Sequence, residues 1–204
     1  MRIDTVLFDA DGVFQRPRAT RRDAWQRVLG TQRDLDGFIA AVFEAEDLAL
    51  TGHVDFLRLL SGVLAKWNCQ GTMQDALATW TMIEPDGAIT DIVRVLRRGG
   101  LRCCLATNQE PFRAIHMSEA LGYAQLFDLE FYSCQMGMAK PAVAYFNAIL
   151  SELDVHASNV FFLDDRQVNV DAAREVGMYA AVFEMDSGPA ALLQTMRGFG
   201  IEAV

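Results

Sequence analysis

Four short apolar runs in this sequence stop abruptly at, or lead into, residues that carry chemistry. Ile3-Asp4-Thr5-Val6-Leu7-Phe8 stops at Asp9-Ala10-Asp11-Gly12. The run 101–106 stops at Thr107-Asn108, and Val160-Phe161-Phe162-Leu163 stops at Asp164-Asp165. The run 129–132 leads through Ser133 to Gly137-Met138-Ala139-Lys140-Pro141. A fifth run covers 178–183. Segments with helical spacing lie between them: 89–98 before Gly99-Gly100, 112–121 before Gly122, one from Pro141 to about 153, and one ending at Val176-Gly177. Pro189 is placed to open a last helix. Strands alternating with helices build βαβ units. The expected fold is therefore α/β: a Rossmann-like core of five parallel strands with helices on both faces.

The stretch 20–82 breaks this alternation. Phe38, Val42 and Phe43, then Phe56, Leu57, Leu60, Val63 and Leu64, recur at helical spacing, and no strand pattern appears. Thr51-Gly52-His53 interrupts the region, and Glu84-Pro85-Asp86-Gly87 closes it with turn residues. The expectation is a helical cap over 14–85 inserted into a core formed by 1–13 and 86–204. A length of 204 residues suits one core plus an insert.

Charge narrows the functional classes. With 18 basic and 27 acidic residues the net charge is −9, which argues against nucleic acid or an anionic membrane as partner. No run approaches the ~20 apolar residues needed to span a bilayer. The first residues show no secretory leader pattern. Cys69, Cys103, Cys104 and Cys134 have no zinc-like spacing. A cytoplasmic protein with reduced thiols is expected, with Cys103 and Cys104 on opposite faces of one strand.

In an open parallel sheet, ligands bind at the carboxyl ends of the strands. Those ends here bring together Asp9, Asp11, Asp164 and Asp165 with Thr107 and Lys140. Four neighbouring carboxylates need cationic compensation. Lys140 supplies one charge, and a hard divalent ion, Mg²⁺, would supply the rest. Such a site suits phosphoryl transfer, with one carboxylate as nucleophile and a second as proton carrier. Singly, each residue has a plainer explanation: an Asp after a strand forms turns or caps, Thr107 could cap the next helix, and lysines are usually solvated. Yet Lys66 and Lys140 are the only lysines among the 18 basic residues, and the combination is more specific than its parts.

These residues resemble the haloacid dehalogenase-like (HAD) hydrolase superfamily. Phe8-Asp9-Ala10-Asp11-Gly12-Val13 matches its first motif, Thr107-Asn108 its second, Lys140-Pro141 its third and Phe162-Leu163-Asp164-Asp165 its fourth. The insert sits where that family carries a C1-type cap. The stretch 133–141 looks especially like the subgroup of soluble epoxide hydrolase N-terminal phosphatase domains and bacterial sugar-phosphate phosphatases. The resemblance implies that Asp9 is the nucleophile and Asp11 the general acid/base. It implies that Thr107 and Asn108 bind the phosphoryl group and that Lys140 pairs with Asp9 and phosphate. Mg²⁺ would be held by Asp9, the Asp11 carbonyl, Asp165 and Asp164, with Asn169 supporting the last loop.

In that family, enzymes that expel halide need no acid for the leaving group and usually lack the second aspartate. Asp11 therefore favours a phosphatase acting on a small phosphorylated metabolite, with a phosphomutase as the alternative, over a dehalogenase, and the intact set Asp9, Asp11, Thr107, Lys140 and Asp165 argues against a noncatalytic binding module. A signalling receiver domain uses similar residues but is shorter and lacks a helical insert. Arg16, Arg18, Arg21 and Arg22 cluster at the insert's entrance. They read first as a solvated helix start; otherwise one of them reaches over the site to an anionic substrate. His53 reads first as an incidental loop residue, and Trp25, Phe43 and Trp67 as the insert's own core.

Overall fold

The computed structural model describes residues 3–31 and 34–202. Five parallel strands form the central sheet: β1 (Thr5–Phe8), β4 (Arg102–Thr107), β5 (Leu129–Tyr132), β6 (Val160–Asp164) and β7 (Tyr179–Val182). Their order is β5-β4-β1-β6-β7, which puts β1 at the centre. Register aligns Phe8 with Leu105 on one side and with Leu163 on the other. The chemically capable strand ends therefore lie side by side.

The two-residue period of a strand sorts side chains onto opposite faces. Val6, Phe8, Cys103, Leu105, Phe161 and Leu163 pack on one face with Ile89, Val93 and Leu96 of α5 (Gly87–Arg98). Leu7, Cys104, Ala106 and Phe162 pack on the other with Tyr145, Phe146 and Ile149 of α8 (Val143–Leu153). Cys103 and Cys104 thus occupy opposite faces as expected. Neither Cys103 nor Cys104 is in a disulfide, and burial pushes both thiols up to about 12.

The insert contains α1 (Arg21–Leu29), α2 (Leu35–Ala49), α3 (Phe56–Lys66) and α4 (Met73–Trp80). Three of these begin at side chains that accept otherwise unpaired backbone N–H groups: Asp34, Asp55 and Thr72. Their apolar faces meet in a cluster of their own around Trp25, Phe38, Phe56, Leu60 and Trp80. Trp25 and Trp67 join this cluster, and Phe43 packs edge-on against its Trp80 with ring centroids 5.5 Å apart, while staying 42% exposed and lining the cleft described below.

The insert is not purely helical. Residues Gln15–Pro17 (β2) and Ile83–Pro85 (β3) pair as a two-stranded antiparallel ribbon at its neck. Three-residue strands, each ending in proline, carry too little periodic signal to be read from sequence. The helix expected over 112–121 is also divided. It runs as α6 (Pro111–Ile115), continues as a π-helical turn over His116–Ala120, and yields to the short α7 (Tyr123–Leu126).

Insert and core touch at Gly52. Its φ is +72°, and a Cβ there would lie 2.3 Å from the Cys134 carbonyl oxygen, which is backbone and cannot swing aside. Beside it, the Ser133 hydroxyl donates to the Leu50 carbonyl at 2.6 Å. Gly52→Ala is expected to cost ~1–3 kcal/mol through backbone strain and lost contact. Urea unfolding against the wild type measures this, and an unchanged midpoint would contradict the account.

Candidate active site

β1 ends by turning back on itself. The Ala10 carbonyl accepts from the N–H groups of Val13, Phe14 and Gln15, a tight loop that projects Asp9 and Asp11 beyond the strand. Gly12 sits in that loop with φ +80°, and a Cβ there would lie 2.4 Å from Asp165 Oδ2. The first loop therefore approaches the Asp164-Asp165 loop as closely as only glycine allows.

Lys140 lies at the centre. It is 5% exposed, and its Nζ donates to Asp9 at 2.7 Å, to Asp164 at 2.6 Å and to the Ala106 carbonyl at 2.9 Å. These three acceptors match the three hydrogens of an ammonium group. Burial works against the charge, but Asp9 and Asp164 outweigh it and hold the ammonium's pKa above its usual value. Asn108 fixes the lysine's backbone, accepting from Lys140 N–H and donating to Lys140 C=O, both at 2.9 Å. The Asn108 side chain is thus engaged in positioning Lys140.

Asp164 is fully buried and receives Asn169 Nδ2 on both oxygens as well as the Arg166 N–H. Asp9, Asp164 and Asp165 each offer an oxygen, and these oxygens lie within 4.8 Å of one another. Hard oxygen donors at this spacing fit a cation such as Mg²⁺. The electrostatics agree. Burial, opposed chiefly by Lys140 and reinforced by Asp164, raises Asp9 to about 7, and burial together with Asp164 raises Asp165. Lys140 alone does not offset the negative charge gathered here.

Asp11 faces the same cleft but answers to a different set of partners. Arg113 Nη2 donates to it at 2.5 Å, Gln109 Nε2 at 2.7 Å and Gln15 Nε2 at 3.0 Å. Gln15 is itself held by the Tyr123 hydroxyl at 2.7 Å. Thr107 is buried and accepts from Gln109, and Glu110, not Thr107, caps α6. The cleft, of about 280 Å³, is lined by Asp9, Asp11, Thr107, Asn108, Lys140 and Asp165 from the core. Pro17, Arg21, Phe43 and Glu46 are among the residues that line its other side. His53 lies in a separate depression beside Glu110 and Pro111.

Sequence reasoning missed Gln15, Gln109, Glu110, Arg113 and Glu46. One signal was available. Glu110-Pro111 is a helix start, with an acidic cap followed by proline at the first position. That start puts Arg113 in the first turn, next to the strand ends. Glu46 had no such signal, since it reaches Arg113 (3.6 Å) only through the docking of the insert.

The chain belongs to the haloacid dehalogenase-like hydrolase family, whose model matches residues 3–177. The sesquiterpene phosphatase astK of Aspergillus oryzae is 34% identical over 97 residues, 47% of this chain and 49% of that protein, so the chain spans about half of that relative's length. A phosphorylated carbohydrates phosphatase of Thermotoga maritima is 21% identical over 93% of this chain and 90% of its own. The solved structure of a HAD family enzyme from Bacteroides thetaiotaomicron, in complex with magnesium and inorganic phosphate, shares the fold. Its TM-score is 0.76 at 18% identity, covering 93% of this chain and 98% of that one.

Glu46 makes a pH-dependent prediction. Burial, with Asp11 and Glu110 adding to it against the pull of Arg113 and Arg21, pushes its carboxyl up to about 8. The folded state thus holds this proton more tightly than the unfolded state does. Stability from Glu46 is present at low pH and is lost as pH rises from about 4.5 towards 8. Glu46→Gln should therefore gain stability relative to wild type between pH 5 and pH 8, by on the order of 2 kcal/mol. Denaturant unfolding at both pH values reads the difference, and a pH-independent difference would refute it.

Proposed function

We propose that this protein is a Mg²⁺-dependent phosphatase that hydrolyses a small phosphomonoester through an aspartyl-phosphate on Asp9. The observation that carries the reading is the convergence of oxygens of Asp9, Asp164 and Asp165 within 4.8 Å of one another, beside a fully engaged Lys140. The phosphatase names of two relatives and the magnesium and phosphate bound by the Bacteroides enzyme agree with it.

Mg²⁺ would be held by Asp9, Asp165 and the Asp11 carbonyl, with Asp164 direct or through water, and when bound it supplies positive charge against the phosphate oxygens. Thr107 and, because its side chain is engaged with Lys140, the backbone of Asn108 would bind the phosphoryl group at the end of β4. Lys140 keeps the Asp9 carboxylate oriented and partly neutralised.

In the first step an Asp9 oxygen attacks phosphorus. The bond from phosphorus to the ester oxygen breaks, and Asp11 gives its proton to the departing alkoxide. In the second step a water oxygen attacks phosphorus while Asp11 takes a proton from it. The bond from phosphorus to the Asp9 oxygen then breaks, releasing phosphate and restoring both carboxyl groups. Arg113, Gln109 and Gln15 aim Asp11 for both transfers. The insert, taken as a cap over 14–85, closes the other side of the cleft and selects the substrate.

Three measurements test this. Excess chelator should abolish turnover, and Mg²⁺ should restore it. Asp9→Asn should form no phosphoenzyme and show no turnover. Asp11→Asn should retain phosphoenzyme formation but lose about 10²–10⁴-fold in rate on alkyl phosphates. That loss should shrink in the first step with p-nitrophenyl phosphate, whose leaving group needs little protonation. A phosphoryl label found by mass spectrometry on Asp11, or one formed in Asp9→Asn, would reverse the two roles.

A further inference from the structure

One buried cation in the cleft has no anionic partner of its own. Arg21, the first residue of α1, is 5% exposed and lines the same cleft as Asp9, Asp11 and Thr107. Its Nε and Nη2 are buried and make no hydrogen bond. The other arginines of its cluster are exposed and paired: Arg16 with Asp86 at 3.1 Å, Arg18 with Glu84 at 3.8 Å and Arg22 with Asp36 at 2.7 Å. Arg21 alone of the four turns inward.

Aromatic rings, not a carboxylate, hold Arg21 there. Its Cζ lies 4.8 Å from the centroid of Trp80 and 5.9 Å from that of Phe43. Trp80 is fixed in turn, because its Nε1–H donates to Glu110 at 2.9 Å. Of the carboxyl groups that face Arg21, Asp11 is ion-paired with Arg113, and Glu46, 3.6 Å from Arg113, is kept protonated at neutral pH by its burial. Burial and the neighbouring Arg113 push the Arg21 guanidinium down to about 10, so it remains cationic at neutral pH.

A buried guanidinium with unmade hydrogen bonds is costly to keep unless a ligand completes it. We propose that Arg21 receives a second anionic group, a carboxylate or a phosphate, on the organic part of the substrate. The substrate class is then a short phosphomonoester with an anion at each end. A cleft of about 280 Å³ leaves room for only a few carbons between them. The inference rests on the phosphatase reading of this cleft and narrows it. The planar fork of donors suits a carboxylate or phosphate better than a hydroxyl.

Matched esters test the proposal: 3-carboxypropyl phosphate and propane-1,3-diyl bisphosphate against butyl phosphate and 3-hydroxypropyl phosphate, all with Mg²⁺. Wild type should favour the doubly anionic esters by about tenfold or more in kcat/KM, mainly through KM. Arg21→Met should collapse that ratio, and Arg21→Lys should keep part of it. A wild-type ratio near one overturns the proposal whether or not the variants fold. So does a ratio that survives in Arg21→Met, or a hydroxyl ester favoured as strongly as the carboxylate. If no ester is hydrolysed, the phosphatase reading falls, and calorimetric binding of the same esters still decides the role of Arg21. Tighter binding of the doubly anionic esters that Arg21→Met abolishes upholds it, and equal binding overturns it.

Discussion

The Lys140 ammonium is the contact on which the rest of the site depends. Its three hydrogens go to the loop after β1, the backbone of β4 and the end of β6, so one side chain ties together three strand ends. Buried charges survive only when paired and fully hydrogen-bonded, and Lys140 meets both conditions. Without it, Asp9 and Asp164 would be left as adjacent buried carboxylates, a loss on the order of 3–5 kcal/mol. The surrounding amides serve the same end. Asn108 holds the backbone of Lys140, and Asn169 holds both oxygens of Asp164.

A second network joins core to insert. Arg113 reaches Asp11 on one side and Glu46 of α2 on the other, and its Cζ lies 5.2 Å from the centroid of Trp80 at the end of α4. The orientation of Asp11 therefore depends on where the insert docks. Glu110 adds to this dependence, since it caps α6 and also accepts the Trp80 indole N–H. Any shift of the insert against the core would disturb these shared partners. The two networks divide the site into a side around Asp9 and Asp164 held by Lys140 and a side around Asp11 held by Arg113.

The parts of this architecture legible in the sequence share one property: each is encoded within a few consecutive residues. Val6, Leu7 and Phe8 alternate faces because a strand has a period of two, and the same rule separates Cys103 from Cys104. Asp9, Thr107, Lys140 and Asp164 could be placed together because each lies at or just beyond the end of an apolar run, and parallel strands put such ends on one edge. The helices of the insert were visible from their spacing. The neck ribbon was not, because Arg16 and Glu84 pair across the whole insert on strands of only three residues. The place of Phe43 at the edge of the cleft was equally hidden, since helical spacing marks an apolar position without saying how far its neighbours will cover it.

The sequence by itself therefore determined the parallel sheet, the succession of its strands along the chain and the residue types at their carboxyl ends. Periodicity and strand polarity are local properties, and local properties are written in order along the chain. Tertiary structure alone decided which arginine of the entrance cluster is buried, that Arg113 rather than a lysine meets Asp11, and that Glu46 comes within reach of it. Those outcomes depend on how a four-helix insert seats on a sheet. That seating is set by contacts such as Gly52 on Cys134 and Trp80 on Glu110, between residues 30 to 82 positions apart in the chain. Charges brought within a few ångströms by such packing interact strongly because water has been excluded from between them.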